Sequence, residues 1–127
     1  MCEFRIIRRD DMILNNSEKT IYKRLMNMGD EEAIEFSEYL EDLEKMENLE
    51  DLHESASGSI KFAIGKGLEE LSERQWEVIS RGLAEYYYIH ECELCTERIE
   101  WNEMHTAIDT KKCSRCNYMI EKENINL

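Results

Sequence analysis

The residues best equipped for chemistry are four cysteines in two pairs, Cys92-Glu93-Leu94-Cys95 and Cys113-Ser114-Arg115-Cys116, with seventeen residues between the pairs. In a C-x-x-C turn the backbone folds back so that two sulfurs converge on one ion and nearby amides point at the thiolates. Two such pairs at this separation match a four-thiolate zinc site. Four protein ligands close the tetrahedron and leave no position for water, so the zinc is expected to be structural. Its binding would contribute on the order of 10 kcal/mol or more of apparent folding free energy to a segment too short to fold alone. Disulfides are the competing reading. They are disfavoured because Met1-Cys2-Glu3-Phe4-Arg5 does not read as a secretory leader and the chain is expected in the cytoplasm. A redox C-x-x-C would want a thioredoxin-like strand–helix context, which the flanking sequence does not offer. Cys2 is read as a bystander.

Other chemistry is harder to assemble. His90 lies two residues before the first cysteine pair and is expected to be a helix-end cation or a partner behind a ligand, not a ligand itself. His105 has no identifiable nucleophile or carboxylate pair beside it and is expected at the surface. Gly65-Lys66-Gly67 lacks the G-x-x-x-x-G-K-[ST] spacing that cradles phosphates. No catalytic residue is assigned, and the chain is expected not to be an enzyme.

The 127 residues carry 29 acidic and 16 basic side chains, a net charge of -13, with five glycines and no proline. That balance disfavours nonspecific binding to nucleic acid, which needs clustered Lys and Arg. No stretch approaches the roughly 18 to 20 apolar residues of a membrane span. Eleven of the thirteen excess charges fall in residues 30–54, where twelve carboxylates face a single Lys45. The spacing of Phe36, Leu40, Leu43, Met46 or Glu47, and Leu49 to Leu52 predicts one amphipathic helix over 30–54, capped by Asp30 with Gly29 closing the preceding turn. Its carboxylate face, with Glu38, Glu41, Asp42 and Glu44, is either solvated or a surface that mimics nucleic-acid phosphates and docks on a basic protein. Trp101 is a further candidate contact residue.

Around this helix, Phe4-Arg5-Ile6-Ile7 reads as a strand or extended arm, and Ser17 as the cap of a helix over about 18–28. Ser55-Ala56-Ser57-Gly58-Ser59 reads as a hinge or turn. Ile60, Ile64, Leu68 and Leu71 favour a helix, with a strand left open. Ser72-Glu73-Arg74-Gln75 is a capping box, followed by a helix with Trp76, Ile79, Leu83 and Tyr86 on one face. At most two of Tyr86, Tyr87 and Tyr88 can be core. Between the cysteine pairs, Arg98-Ile99-Glu100-Trp101 reads as a hairpin arm and 102–107 as a short helix or turn. A C-terminal helix is expected with Cys116 in its first turn.

Three resemblances follow from these residues. Leu71 to Ile79 superficially resembles the opening of the helix-turn-helix in LuxR-type response regulators, but only nine residues match and no basic recognition helix follows. Residues 90–122 resemble zinc-ribbon and treble-clef modules, with HNH and RING domains set aside for want of a His pair and of eight ligands. The string Cys92-x-x-Cys95-x-x-x-Ile99-x-Trp101-x-Glu103-Met104-x-x-Ala107, ending in Cys113-x-x-Cys116, is similar to small zinc-knuckle proteins of phages and prophages. That resemblance implies an accessory or regulatory role and lends no catalytic residue.

The sequence thus predicts a mainly α protein, with an acidic helical region over 1–89 and a small C-terminal zinc-ribbon or treble-clef-like module over 90–127. The expected function is a non-enzymatic, zinc-stabilised protein–protein interaction, as a phage or mobile-element regulator or inhibitor of a basic nucleic-acid-processing or defence protein. The alternative is a zinc-ribbon transcriptional regulator that contacts nucleic acid through Arg98, Lys111, Lys112 and Arg115. No membrane partner is expected, and homo-oligomerisation is left open.

Overall fold

The computed structural model describes residues 14–122. The strand expected at Phe4 to Ile7, and Cys2, lie outside them. Six α-helices make up most of the described chain, so it is mainly α: α1 (Asn16–Met26), α2 (Asp30–Lys45), α3 (Glu54–Lys66), α4 (Glu73–Tyr86), α5 (Met104–Thr110) and α6 (Ser114–Lys122). Among the described residues no named strand forms, and the expected hairpin arm reduces to one antiparallel bridge between Glu91 and Arg98. None of the described helices is long and apolar enough to cross a membrane.

Two helix starts follow from local chemistry. Ser72 caps α4 as expected, accepting from the Gln75 amide at 3.2 Å while Gln75 accepts from the Ser72 amide at 2.9 Å. The cap of α1 is Asn15 and not Ser17, through the same reciprocal box with Glu18 at 2.8 and 3.0 Å.

The acidic helix is capped by Gly29 and not Asp30, which lies in its first turn and makes no capping hydrogen bond, and the helix is shorter than expected. It ends at Lys45, Glu47 turns left-handed at φ 61°, and a 3-10 turn at Asn48–Asp51 leads to α3. The reason is one of phase. At 100° per residue, Phe36, Leu40 and Leu43 share a face, but Leu49 and Leu52 in a straight helix would fall on the opposite, carboxylate side. Breaking the helix lets both leucines reach the core, where they are buried. Met46, expected in the stripe, is exposed.

The expected hinge at 55–59 is also helical, forming the first turns of α3. His53 caps it, with Nδ1 accepting from the Ser55 amide at 3.1 Å. The small residues serve close packing instead of a bend: Ala56, Ser59, Ile60 and Ala63 form the buried stripe that meets α4. A Cβ added at Gly82 of α4 would lie 2.7 Å from the Ala56 Cβ, so the Ala56 methyl of α3 packs directly on the Gly82 backbone. α4 also packs on α1, and α2 packs on α3 and on the 3-10 turn Trp101–Glu103. Ile79 and Leu83 are fully buried on α4, but Tyr86, placed with them by spacing, is 63% exposed. The core runs without a break across residue 90: Phe36, Tyr39, Leu40 and Leu43 of α2 join one cluster with Cys92, Ile99, Trp101, Met104 and Ala107.

Candidate metal centre and its anchor

Both cysteine pairs are built by backbone turns. After α4 the chain runs through Tyr88 to His90 without regular structure, and the next α-helix, α5, begins only at Met104, too far on for a recognition helix after a short turn. The first pair sits in a tight reversal, in which the Cys92 amide donates to Glu97 O at 2.9 Å, Thr96 N to Cys92 O at 2.9 Å and Ile99 N to His90 O at 3.0 Å. The amides of Leu94 and Cys95 point at Cys92 Sγ at 3.3 and 3.4 Å. The second pair lies at the start of α6: Lys111, at φ 65°, ends α5, Asn117 N donates to Cys113 O, and Cys116 falls in the first turn of α6 as expected. Glu93 N donates to Lys111 O at 2.9 Å and joins the two turns. Glu103 accepts from the Ser114 amide at 2.7 Å, where the positive end of the helix dipole favours a carboxylate.

The four sulfurs of Cys92, Cys95, Cys113 and Cys116 lie within 4.8 Å of one another and could hold a metal ion. Cys95 and Cys113 Sγ are 3.8 Å apart. A disulfide requires about 2.05 Å, whereas a tetrahedron with metal–sulfur bonds of about 2.3 Å has edges of about 3.8 Å. The thiols are free, and the set fits one tetrahedral cation. Their electrostatics point the same way. Burial works against ionisation of Cys92, but the amides of Cys95, Cys113 and Leu94 outweigh it and bring its pKa down to about 6. Burial, together with the shared contacts of Cys113, Cys92 and Cys95, pushes Cys116 up to about 12. A bound cation would offset what holds Cys116 protonated beside the Cys92 thiolate. The Arg115 guanidinium is held against Cys95, its pKa raised by that contact and by Glu97.

Neither expected outlier joins the thiols. His90 Nδ1 shares a 2.7 Å hydrogen bond with the Tyr88 hydroxyl. His105 is half-buried instead of superficial, its ring 4.8 Å from that of Tyr39 and its Nε2 4.0 Å from Asp42.

Trp101 is the main correction. It is 1% exposed and therefore not a contact surface. Its ring packs against Phe36, Tyr39 and Tyr88 at centroid distances of 4.7, 5.4 and 5.6 Å, and its Nε1 donates to Glu32 Oε2 at 3.0 Å. The same oxygen accepts from Arg24 Nε at 2.8 Å. The Arg24 guanidinium lies 4.4 Å over the Trp101 ring and donates to the Tyr88 hydroxyl at 3.1 Å. Arg24, Glu32, Tyr88 and Trp101 thus form one buried polar cluster that fastens the cysteine-rich segment onto α1 and α2. Sequence spacing missed it, because its partners lie 8, 64 and 69 residues apart. A lone arginine in the last turn of α1 and a tryptophan between the cysteine pairs were the available signals.

Of the acidic candidates, Glu38, Glu41 and Glu44 are exposed and make no hydrogen bond or ion pair among the described residues, while Asp42 faces His105. Of the basic set, Arg98 lies 3.8 Å from Glu32 and 3.9 Å from Glu100, Lys112 Nζ donates to Thr110 O at 3.3 Å, and Arg115 is at Cys95.

These features define a mainly α protein with a four-thiol site at its C-terminal end. Comparison with protein-family models, curated proteins and solved structures finds no match.

Proposed function

We propose that the chain is a zinc-stabilised, non-enzymatic interaction protein that binds a basic protein through the carboxylate face of α2. The observation that carries this is the contrast among its acidic side chains. Glu32, Asp51 and Glu103 are committed to internal partners, whereas the exposed side chains of Glu38, Glu41 and Glu44 make no hydrogen bond or ion pair among the described residues. A fixed carboxylate row with unspent charge suits long-range attraction to a cationic surface. Four thiols within 4.8 Å of one another support zinc in a structural role, since four protein ligands fill a tetrahedral coordination sphere. The similarity to phage zinc-knuckle proteins extends the proposal to a regulator or inhibitor of a nucleic-acid-processing or defence protein. The nucleic-acid-binding alternative draws less support, because Lys112 and Arg115 already have partners within the module.

Capture from a lysate by the wild-type protein and by a variant carrying Glu38→Lys, Glu41→Lys and Glu44→Lys tests the proposal; Asp42 is left intact because it faces His105. The variant should lose a protein that the wild type retains, and raising the salt should weaken that retention. Equal capture by both proteins would refute the acidic face as the docking surface.

A further inference from the structure

One region runs against the charge of the rest of the molecule. An open depression of about 430 Å3 lies between the C-terminal half of α1 and the segment around the first cysteine pair. It is lined by Thr20, Lys23, Arg24, Asn27, His90 and Arg98, without a carboxylate in the wall. Lys23 has no ion pair among the described residues, and Arg98 is half-exposed with its carboxylates no nearer than 3.8 Å. Arg24 and Arg98 share Glu32, and one guanidinium nitrogen of Arg24, Nη2, is buried without a hydrogen-bond partner. With Nδ1 of His90 turned to Tyr88, its other ring nitrogen remains for a ligand. Lys23 and Arg98 therefore line the depression as cations, with the buried Arg24 guanidinium in its wall, and the carboxylates paired with these arginines among the described residues are Glu32 and Glu100.

A second depression, of about 290 Å3, meets the first at Thr20 and His90. Its remaining wall is largely apolar: Ile21, Ala84, Tyr88 and Ile89, with Ser17 at the edge. The two together have the make-up of a small-molecule site, an apolar chamber with a few convergent polar groups.

We propose that this double depression binds a phosphomonoester whose phosphate sits among Lys23, His90 and Arg98 and whose apolar or aromatic moiety enters the pocket against Ile21 and Ala84. A tetrahedral phosphate presents three oxygens to three donors arriving from separate segments, whereas a carboxylate is matched by one fork. The net charge of -13 opposes a nucleic-acid backbone with its many phosphates, but a single phosphate meets only the local field. The inference is independent of the acidic face of α2, because it uses other residues.

The test is titration of the metal-loaded protein with phenyl phosphate, adenosine monophosphate, inorganic phosphate and benzoate, followed by amide chemical shifts and calorimetry. Saturable shifts should cluster at residues 17–27 and 84–98. Phenyl phosphate or adenosine monophosphate should bind about tenfold or more tightly than inorganic phosphate, and whichever binds tighter identifies the moiety as aryl or nucleoside. Loss of one charge-assisted hydrogen bond should weaken binding about tenfold or more, so Lys23→Ala and Arg98→Ala should each do so, while Lys45→Ala should change nothing. Ala84→Leu, which fills the apolar chamber, should weaken phenyl phosphate but leave inorganic phosphate unaffected. The proposal is overturned if no ligand gives saturable shifts, if benzoate binds as well as phenyl phosphate, or if Lys23→Ala and Arg98→Ala bind like wild type.

Discussion

Replacing Glu32 with alanine strips one acceptor oxygen from two buried donors at once. Its Oε2 takes hydrogen bonds of 2.8 Å from Arg24 and 3.0 Å from Trp101, and the Arg24 side chain is only 2% exposed, so its charge has no route to water. Deleting one partner of a buried ion pair costs about 3–5 kcal/mol, because the other charge is left uncompensated. The unpaired indole would add about 1–3 kcal/mol on its own, but the two losses share one oxygen and do not sum in full. Glu32 is 16% exposed at its side chain, which puts the expected total near the lower end, about 4 kcal/mol. Against a typical stability of about 5–15 kcal/mol that is a large fraction.

Two further variants separate charge from hydrogen bonding. Glu32→Gln keeps an acceptor for the indole and for Arg24 but leaves the buried Arg24 charge uncompensated, so most of the ion-pair cost, about 3 kcal/mol, is expected without that of the unpaired indole. Combining it with Arg24→Met removes both charges and leaves an acceptor for Trp101, and this pair should be clearly more stable than Glu32→Ala. Urea unfolding of the metal-loaded protein, followed by circular dichroism and tryptophan fluorescence, gives all three values. If Glu32→Ala stays within about 1 kcal/mol of wild type, or the double variant is no more stable than Glu32→Ala, the cluster is not what fastens the cysteine-rich segment to the helices.

Other outcomes follow from the same structure. Gly82→Ala gains about 1 kcal/mol of helix propensity, but its Cβ would meet the Ala56 Cβ at 2.7 Å. Overpacking of about 1–3 kcal/mol should therefore give a net loss, and adding Ala56→Gly should relieve the clash part of it, read as a positive coupling in thermal unfolding. Glu77 is buried with Oε1 unpartnered, and burial followed by Glu73 raises its pKa against the pull of Arg74 and Arg81. The folded state then holds the proton more tightly than the unfolded state, so stability falls as pH rises from the ordinary carboxylate range through the raised folded value. Glu77→Gln should flatten that slope and, at neutral pH, raise Tm by about 3 °C for about 1 kcal/mol. Elemental analysis should find one zinc per chain, and Cys113→Ser should unfold residues 90–122 with loss of the metal; zinc-free protein of unchanged structure would refute the site.

What could be read from the sequence was what neighbouring residues decide among themselves. A C-x-x-C turn and a capping box are closed within four residues, so both cysteine pairs and the start of α4 were visible in advance, and all four sulfurs converge. The misreadings came where a local signal has two physical outcomes. Ser55 to Ser59 has the small residues of a turn, but the same smallness lets α3 lie against Gly82 of α4, and only the partner helix decides between the two. Leu49 and Leu52 were apolar enough to be added to the acidic helix, yet their phase is wrong by half a turn, and the chain breaks at Glu47 to bury them.

Trp101 shows the same limit at long range. An aromatic residue among charged neighbours in a small cysteine-rich segment has two outlets, a partner protein or the rest of its own chain. The acidic helix supplied the second: Glu32, one of its many carboxylates, is turned inward to receive the indole and the Arg24 guanidinium. Part of the charge that distinguishes this chain is therefore spent on holding its two ends together, and a surface function can be assigned only to carboxylates that such contacts leave over. Glu38, Glu41 and Glu44 are in that remainder, and Asp42, 4.0 Å from His105, stands at its edge. Charge reversal at the first three probes a partner, whereas reversal at Glu32 or Asp42 also probes how α2 grips the cysteine-rich segment. Loss of binding in the first kind of variant with zinc and helix content retained would mean that the acidic face acts through contact, whereas loss confined to the second kind would mean that it acts through the fold.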